Sequence, residues 1–323
     1  MKNPGLLAPQ YRDEDAARQH IENILWPDGP VCPHCGLINE ATKLRPDNSS
    51  KTHARKGTWQ CRGCRKQFTV TVGTIFEDSH IPLHKWLLAI HLICSSKKGM
   101  SAHQLMRNLE IGSYRTAWFM AHRIRWALTQ EPIKGKLDGI VEVDETYVGG
   151  KLRTSSQAVK QGERPKDRPA ATANKAPVVA VPERGGPVRS YHVEHVTAKD
   201  LKPIVNAMVK QGAHLMTDSS NALASASTGF QHGQVNHSAG EYARRERGVL
   251  ISTNSVESYF AILKRGHYGV YHHWAKKYMS QYLKEFDWRY NVRALEDVQR
   301  AVVALKMTGG KRLSLKPPTS SQD

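Results

Sequence analysis

No run of apolar residues in this 323-residue chain approaches the ~18 needed to cross a bilayer, and no charged-then-apolar leader opens it. A membrane span and export are therefore not expected. Acid is also in short supply: 29 Asp and Glu face 47 Lys and Arg, for a net charge of +18. An imbalance of that size favours a polyanionic partner, and with the membrane set aside that partner is nucleic acid. The expected location is cytoplasmic, associated with the nucleoid. Cysteine is scarce, five residues in all, and in a reducing compartment metal binding is a better use for it than disulfides.

Four of the five cysteines are grouped. Cys32-Pro33-His34-Cys35-Gly36 and Cys61-Arg62-Gly63-Cys64 are two C-x-x-C knuckles whose thiolates can close tetrahedrally on one structural Zn²⁺. The loop between them exceeds the usual ~15–20 residues, with a polar excursion from Asp47 to Lys56. His34 and His53 compete as ligands, but paired knuckles favour four sulfurs. Such an ion replaces a core that a segment this small cannot build. Cys94 lies in an apolar helical stretch and reads as a small buried side chain.

The chain divides by pattern. Residues 1–30 hold a leading helix (Tyr11 to Leu25), and 31–75 the zinc-ribbon segment, with Phe68 to Val72 alternating like a strand. In 80–130, Leu83, Trp86, Leu87, Ile90 and Ile93 recur at helical period. Ser101 to Leu109, a turn at Glu110-Ile111-Gly112, and Tyr114 to Leu128 then follow helix-turn-helix grammar. Arg115, His122, Arg123 and Arg125 are expected on the DNA side of the second helix, opposite Ala117, Trp118, Ala121, Ile124 and Leu128. A plain αα-hairpin with a solvated basic face is the alternative.

Residues 138–270 form an α/β region. Ile140 to Val148 is a strand with Glu142 and Asp144 on one side, stopped by Gly149-Gly150. A basic, apolar-poor insertion covers 151–176. Strands at Pro177 to Val181 and Val188 to Val196 flank a hairpin turn at Glu183-Arg184-Gly185-Gly186. A helix from Ala198 to Lys210, N-capped by Thr197, leads to a strand at Ala213 to Asp218. A short helix (Asn221 to Ala226), a brief strand (Gln234 to His237) and a helix from Asn254 complete the region. On that last helix Asn254, Glu257 and Lys264 share a face. The helical crossover between the third and fourth strands makes part of the sheet parallel, with ligands at the strand ends. Asp144, Asp218 and Glu257 all fall at element ends. Converging carboxylates repel one another unless cations intervene; two Mg²⁺ ions would relieve this and clamp a scissile phosphate.

The motifs together resemble the zinc-ribbon DDE insertion-sequence transposases of the ISXO-like group. The resemblance is carried by Cys32-Pro33-x-Cys35 with Cys61-x-x-Cys64, by Val141-Glu142-Val143-Asp144-Glu145-Thr146-Tyr147-Val148-Gly149-Gly150-Lys151, and by Thr217-Asp218. Asn254-x-x-Glu257, Lys264-Arg265-Gly266-x-Tyr268-Gly269, His272-His273 and the run from Tyr282 through Arg293 extend it. It implies a ribonuclease-H-like catalytic domain behind the zinc ribbon and helix-turn-helix. It also implies Asp144 and Asp218 as catalytic aspartates and Mg²⁺ or Mn²⁺ as the catalytic metal, two ions. Family members carry Asn or Glu as third ligand; the spacing to Lys264 assigns Glu257, with Asn254 as support or alternative. Lys264 and Arg265 would contact phosphates of a transposon end. The implied reaction is hydrolysis exposing a 3′-hydroxyl at each terminal inverted repeat, then attack of that hydroxyl on target DNA. The implied partners are double-stranded DNA, as ends and target, and further copies of the chain, at least a dimer on DNA.

Two other readings remain: a zinc-ribbon and helix-turn-helix regulator with an inactive second half, and a ribonuclease-H-like nuclease without strand transfer. Residues 271–308 are expected as C-terminal helices. Their aromatic set (Tyr271, Trp274, Tyr278, Tyr282, Phe286, Tyr290) is assigned to packing, and Arg289 and Arg293 to DNA or acids. Residues 309–323, or the stretch from Met307, form an expected disordered tail.

Overall fold

The computed structural model describes residues 5–46, 54–129, 135–150 and 175–310. The insertion expected at 151–176, apart from its last two residues, most of the 47–56 excursion, and the tail beyond 310 lie outside them. The chain forms two compact units, one of Met1–Gln130 with Ala294–Asp323 and the other of Glu131–Arg293.

In the first unit, helix α1 (Glu14–Leu25) starts where the Asp13 carboxylate accepts from the Asp15 and Ala16 amides, with Glu14 and Asp15 favourably placed at the positive end of the helix. A three-stranded antiparallel ribbon follows: β1 (Ala41–Lys43), β2 (Trp59–Cys61) and β3 (Gln67–Phe68). Its small core joins Phe68, Cys32 and Cys61 to Trp26 and Trp59. Helices α2 (Leu83–Ser95), α3 (Ala102–Asn108) and α4 (Tyr114–Ala127) come next. Ser101 caps α3, and Glu110 takes φ 50° in the turn before α4. Cys94 is buried in α2, as expected.

The second unit is a five-stranded mixed sheet of β4 (Ile140–Val148), β5 (Ala176–Pro182), β6 (Val188–His192), β7 (His214–Thr217) and β8 (Gln231–Gln234). The spatial order is β6-β5-β4-β7-β8. β4, β5 and β6 pair antiparallel, while β7 runs parallel to β4 and β8 parallel to β7. The period-2 alternation sorts side chains between two cores. Val141, Val143, Val179 and Val181 pack with α5 (Ala198–Met208) and α6 (Asn221–Ala226). Val178, Ala180 and Val188 pack with α7 (Asn254–Gly266) and α8 (Met279–Asn291). Trp274, Tyr282 and Phe286 sit in this second core with Tyr271, Tyr278 and Tyr290 against it, so the aromatic set packs as expected.

Four differences from the sequence reading have physical causes. β8 covers Gln231–Gln234 rather than Gln234 to His237. Its register turns on Gly233, where a Cβ would approach Met216 Sδ to 2.7 Å; His237 instead begins a 3₁₀ turn to which Asn236 supplies the cap. A hairpin of β9 (Ala243–Glu246) and β10 (Val249–Ser252) precedes α7, where the run Ala243-Arg244-Arg245-Glu246 shows no apolar alternation. The segment 271–308 does not act as one piece. α8 belongs to the sheet unit, but α9 (Asp297–Lys306) lies against α2 and α1 in the first unit. Finally, the expected tail begins too early: Thr308 is buried and Gly309 bridges Thr74.

Candidate active site and metal centres

The parallel register builds the acidic site. β4 and β7 pair through Val143 and Thr217, so Asp144 and Asp218 are the next residues on two strands spaced ~4.8 Å apart. Their carboxylate oxygens and that of Glu145 all lie within 4.8 Å of one another. Burial pushes the Asp144 carboxyl up to about 7, against the backbone N–H of Glu145 that donates to it, and the charges of Asp218, Glu145 and Glu257 raise it further. Glu145 is raised by burial and by Asp218, and its Oε2 is buried without a hydrogen-bond partner. A hard divalent cation suits this arrangement: an all-oxygen donor set, mutual repulsion and an orphaned buried oxygen.

Glu257 rides the first turn of α7, outside that trio. Its charge reaches Asp144, and its Oε1 lies 3.3 Å from both His237 Nε2 and Thr253 Oγ1. Asn254 opens α7 and is exposed; Lys264 is half-buried and Arg265 exposed in its last turn. Sequence reasoning did not assign Glu145, and gave His237 to surface or packing duty. Glu145 alternates away from Asp144 along the strand, yet its carboxylate comes within 4.8 Å of those of Asp144 and Asp218. Of the later histidines, His272 and His273 are exposed. His267 is buried against Trp274, and burial, with the two neighbouring histidines, lowers its pKa to about 4.

In the first unit the sulfurs of Cys32, Cys35, Cys61 and Cys64 also fall within 4.8 Å of one another, with Cys32–Cys64 at 3.7 Å and Cys35–Cys61 at 3.5 Å. Tetrahedral Zn–S bonds of ~2.3 Å give sulfur spacings near ~3.8 Å, so the cluster fits zinc. The Cys64 backbone helps lower Cys61 to about 7. Cys35 accepts from the Leu37 backbone, yet burial and the adjacent sulfurs push it up to about 11. Four thiolates this close need a cation. His34 is not in the cluster, and His53 lies outside the described residues.

The basic face assigned to α4 is corrected. His122, Arg123 and Arg125 are buried. Arg123 stacks over Trp86 and Phe119 and donates to the Glu77 carbonyl at 2.5 Å, and the His122 ring rests on Trp118 with centroids 4.0 Å apart. Guanidinium groups tolerate such aromatic packing, so charge did not mark the solvent side. Arg115 alone of the four is exposed, beside Tyr114, which stacks on His103 of α3. Arg289 pairs with buried Glu285, and Arg293 donates to the Gly185 and Gly186 carbonyls. Arg289 is buried and so meets an acid, one of its two expected partners, while Arg293 stays exposed. Among the described residues no helix is long and apolar enough to cross a membrane.

Comparisons with known proteins cover the regions that hold both clusters. A family described as the ISXO2-like transposase domain matches residues 136–291, the sheet unit with its acidic cluster. A family described as the transposase zinc-ribbon domain matches residues 12–67, which contain all four clustered cysteines. An uncharacterized protein in transposable element ISH50 of Halobacterium salinarum is 26% identical over 291 residues, spanning 87% of this chain and 92% of its own. With a match to a transposase zinc ribbon ahead of a match to an ISXO2-like transposase domain, the chain is similar to the zinc-ribbon transposases of the ISXO2-like group.

Proposed function

We propose that the protein is an active insertion-sequence transposase that binds the terminal inverted repeats of its element and catalyses metal-dependent 3′-end hydrolysis and strand transfer. The observation carrying this reading is the meeting of Asp144 and Asp218 just past the last paired residues of the parallel β4–β7 ladder, in a chain with net charge +18. The strand order, three antiparallel strands followed by two parallel to the first, supports a ribonuclease-H-like catalytic fold.

Two Mg²⁺ or Mn²⁺ ions held between these carboxylates would supply Lewis acidity and charge neutralisation at the scissile phosphate. Asp144 and Asp218 bind from the strands; Glu257 closes the site from α7, with Asn254 as the alternative. Glu145 adds a fourth carboxylate. Lys264, about two turns along the same helix face, holds a phosphate of the end. In the first step water attacks the phosphorus, forming one P–O bond as the bond to the 3′-oxygen breaks, which leaves a 3′-hydroxyl and a 5′-phosphate. In the second that hydroxyl attacks a target phosphodiester, forming one P–O bond as another breaks. No covalent protein intermediate is required.

The zinc ribbon and the α3–α4 pair are the end-binding part. The exposed N-terminal residues of α4, Tyr114 and Arg115, sit where a recognition helix presents its base contacts. Synapsis of two ends calls for at least two copies, and the protein works in the cytoplasm on nucleoid DNA.

The test is incubation with a duplex ending in the element's own inverted repeat, plus Mg²⁺ and a target plasmid. Joined products are expected. Nicks alone would make the protein a nuclease, retardation alone a regulator, and cleavage that survives EDTA would remove the metal from the mechanism.

A further inference from the structure

The helix that carries Glu257 begins without a cap of its own. Thr253 occupies the N-cap position of α7 but its side chain makes no capping bond to the backbone amides of the first turn. Its hydroxyl instead meets Glu257 Oε1 at 3.3 Å and His237 Nε2 at 3.0 Å. The open amides of the helix are satisfied from another element, 113 residues earlier in sequence. Glu142 Oε2 accepts from the Ser255 amide at 2.7 Å and the Val256 amide at 3.0 Å, and Oε1 accepts from Ser255 Oγ at 3.0 Å. Glu142 lies on β4, two residues before Asp144, and is fully buried.

Arg184, in the β5–β6 turn, balances that charge: its Nε donates to Glu142 Oε1 at 3.0 Å. The same guanidinium donates to the Leu250 carbonyl at 2.7 Å, and to the Ser252 carbonyl and hydroxyl at 3.1 Å each. One ion pair therefore joins the strand of Asp144, the strand β10 and the first turn of α7.

Stability alone does not call for this. A Ser, Thr, Asp or Asn at position 253 can cap a helix locally, and a buried ion pair is often no more stabilising than apolar residues of the same volume. What the pair adds is direction. Several short bonds fix α7 in rotation and height relative to β4, and they release the Thr253 hydroxyl to orient Glu257.

We propose that Glu142 and Arg184 are positioning residues: they transfer the capping of α7 to the strand of Asp144 and so hold Glu257 within reach of the cation bound by Asp144 and Asp218. This rests on the metal-site reading above.

The test uses the full chain, with Mn²⁺ as probe and no DNA. Wild type, Glu142→Gln, Arg184→Lys and the control Asp144→Asn are compared by three measurements. These are Mn²⁺ affinity from the electron paramagnetic resonance of the free ion, amide exchange at residues 255–257, and thermal melting. Wild type is expected to bind and the control to lose binding. Glu142→Gln keeps the side-chain shape but turns an amide against backbone N–H groups. It should stay folded, exchange faster at 255–257 and bind Mn²⁺ about 10- to 100-fold more weakly. Arg184→Lys keeps the charge but loses the fork, and should fall between wild type and Glu142→Gln. In a separate reaction with the end duplex added, excess Mn²⁺ should restore cleavage in Glu142→Gln but not in Asp144→Asn.

Wild-type Mn²⁺ affinity in Glu142→Gln overturns the proposal, whatever happens to its melting temperature, because the pair would then serve stability alone. If Glu142→Gln does not fold, wild-type affinity in Arg184→Lys overturns it in the same way. If wild type itself takes no Mn²⁺, the metal reading falls separately. Positioning of α7 is then judged by exchange: unchanged protection at 255–257 in Glu142→Gln refutes it, and faster exchange upholds it.

Discussion

At the scale of single residues, the acidic cluster is under electrostatic tension that a cation relieves. Asp144→Asn and Asp218→Asn should each lower end cleavage by about 10²- to 10³-fold or more, while retardation of the same duplex persists. Glu257→Gln should do likewise; if it cuts normally and Asn254→Ala does not, the third ligand is Asn254. The cluster also makes a prediction about pH. The carboxyl of Asp144 titrates near 7 in the fold and near ~3.9 in the unfolded chain, so between those values the native state binds more protons. Its contribution to stability is greatest at the acid end and is lost as pH rises from about 4 to about 7. In EDTA, melting temperatures of wild type should fall relative to Asp144→Asn over that window. At pH 8, added Mg²⁺ should raise the melting temperature of wild type and leave the variant unmoved.

At the scale of elements, a partly parallel sheet was legible because a helix long enough for a crossover separates the third and fourth strands, but that β7 returns to β4 and not to β6 was not. Which residues stand side by side after the crossover follows from register, and so Glu145, one residue out of the expected alternation, was invisible. The basic residues of α4 misled for a related reason. Periodicity marks an apolar stripe but not whether arginine lies beside it in water or beneath a tryptophan, and Arg123 is beneath Trp86. Arg123→Glu should therefore destabilise the first unit by on the order of 3 kcal/mol, read as an earlier melting step. Arg115→Glu should leave melting alone and weaken duplex binding, with the salt slope reduced by about 1. The β9–β10 hairpin was unread for want of apolar alternation, although Arg247-Gly248 marks its turn, with φ of 49° and 82°. Arg245 and Arg247 are exposed on it, so their double reversal to Glu should also weaken binding to the cleaved end.

At the scale of the whole molecule, the knuckle spacing announced the four-cysteine cluster directly, because four sulfurs in two C-x-x-C pairs have few uses other than holding a metal. One zinc per chain is expected by metal analysis of freshly purified protein, and Cys61→Ser should lose it together with protection of the ribbon from proteolysis. The division of the C-terminal region was not legible, since α8 and α9 have similar amphipathic character and nothing in either names its partner. A chain ending at Arg293 should keep the sheet unit resistant to protease while residues 1–130 become sensitive, because α9 no longer covers α2 and α1. That return of the last helix bears on synthesis as well as stability. On the ribosome the first unit emerges earliest, yet the piece that completes it is made after the entire sheet unit. Its assembly must wait until α9 has been made, and any message cut short between the acidic cluster and α9 would yield a sheet unit able to fold beside a first unit left unfinished.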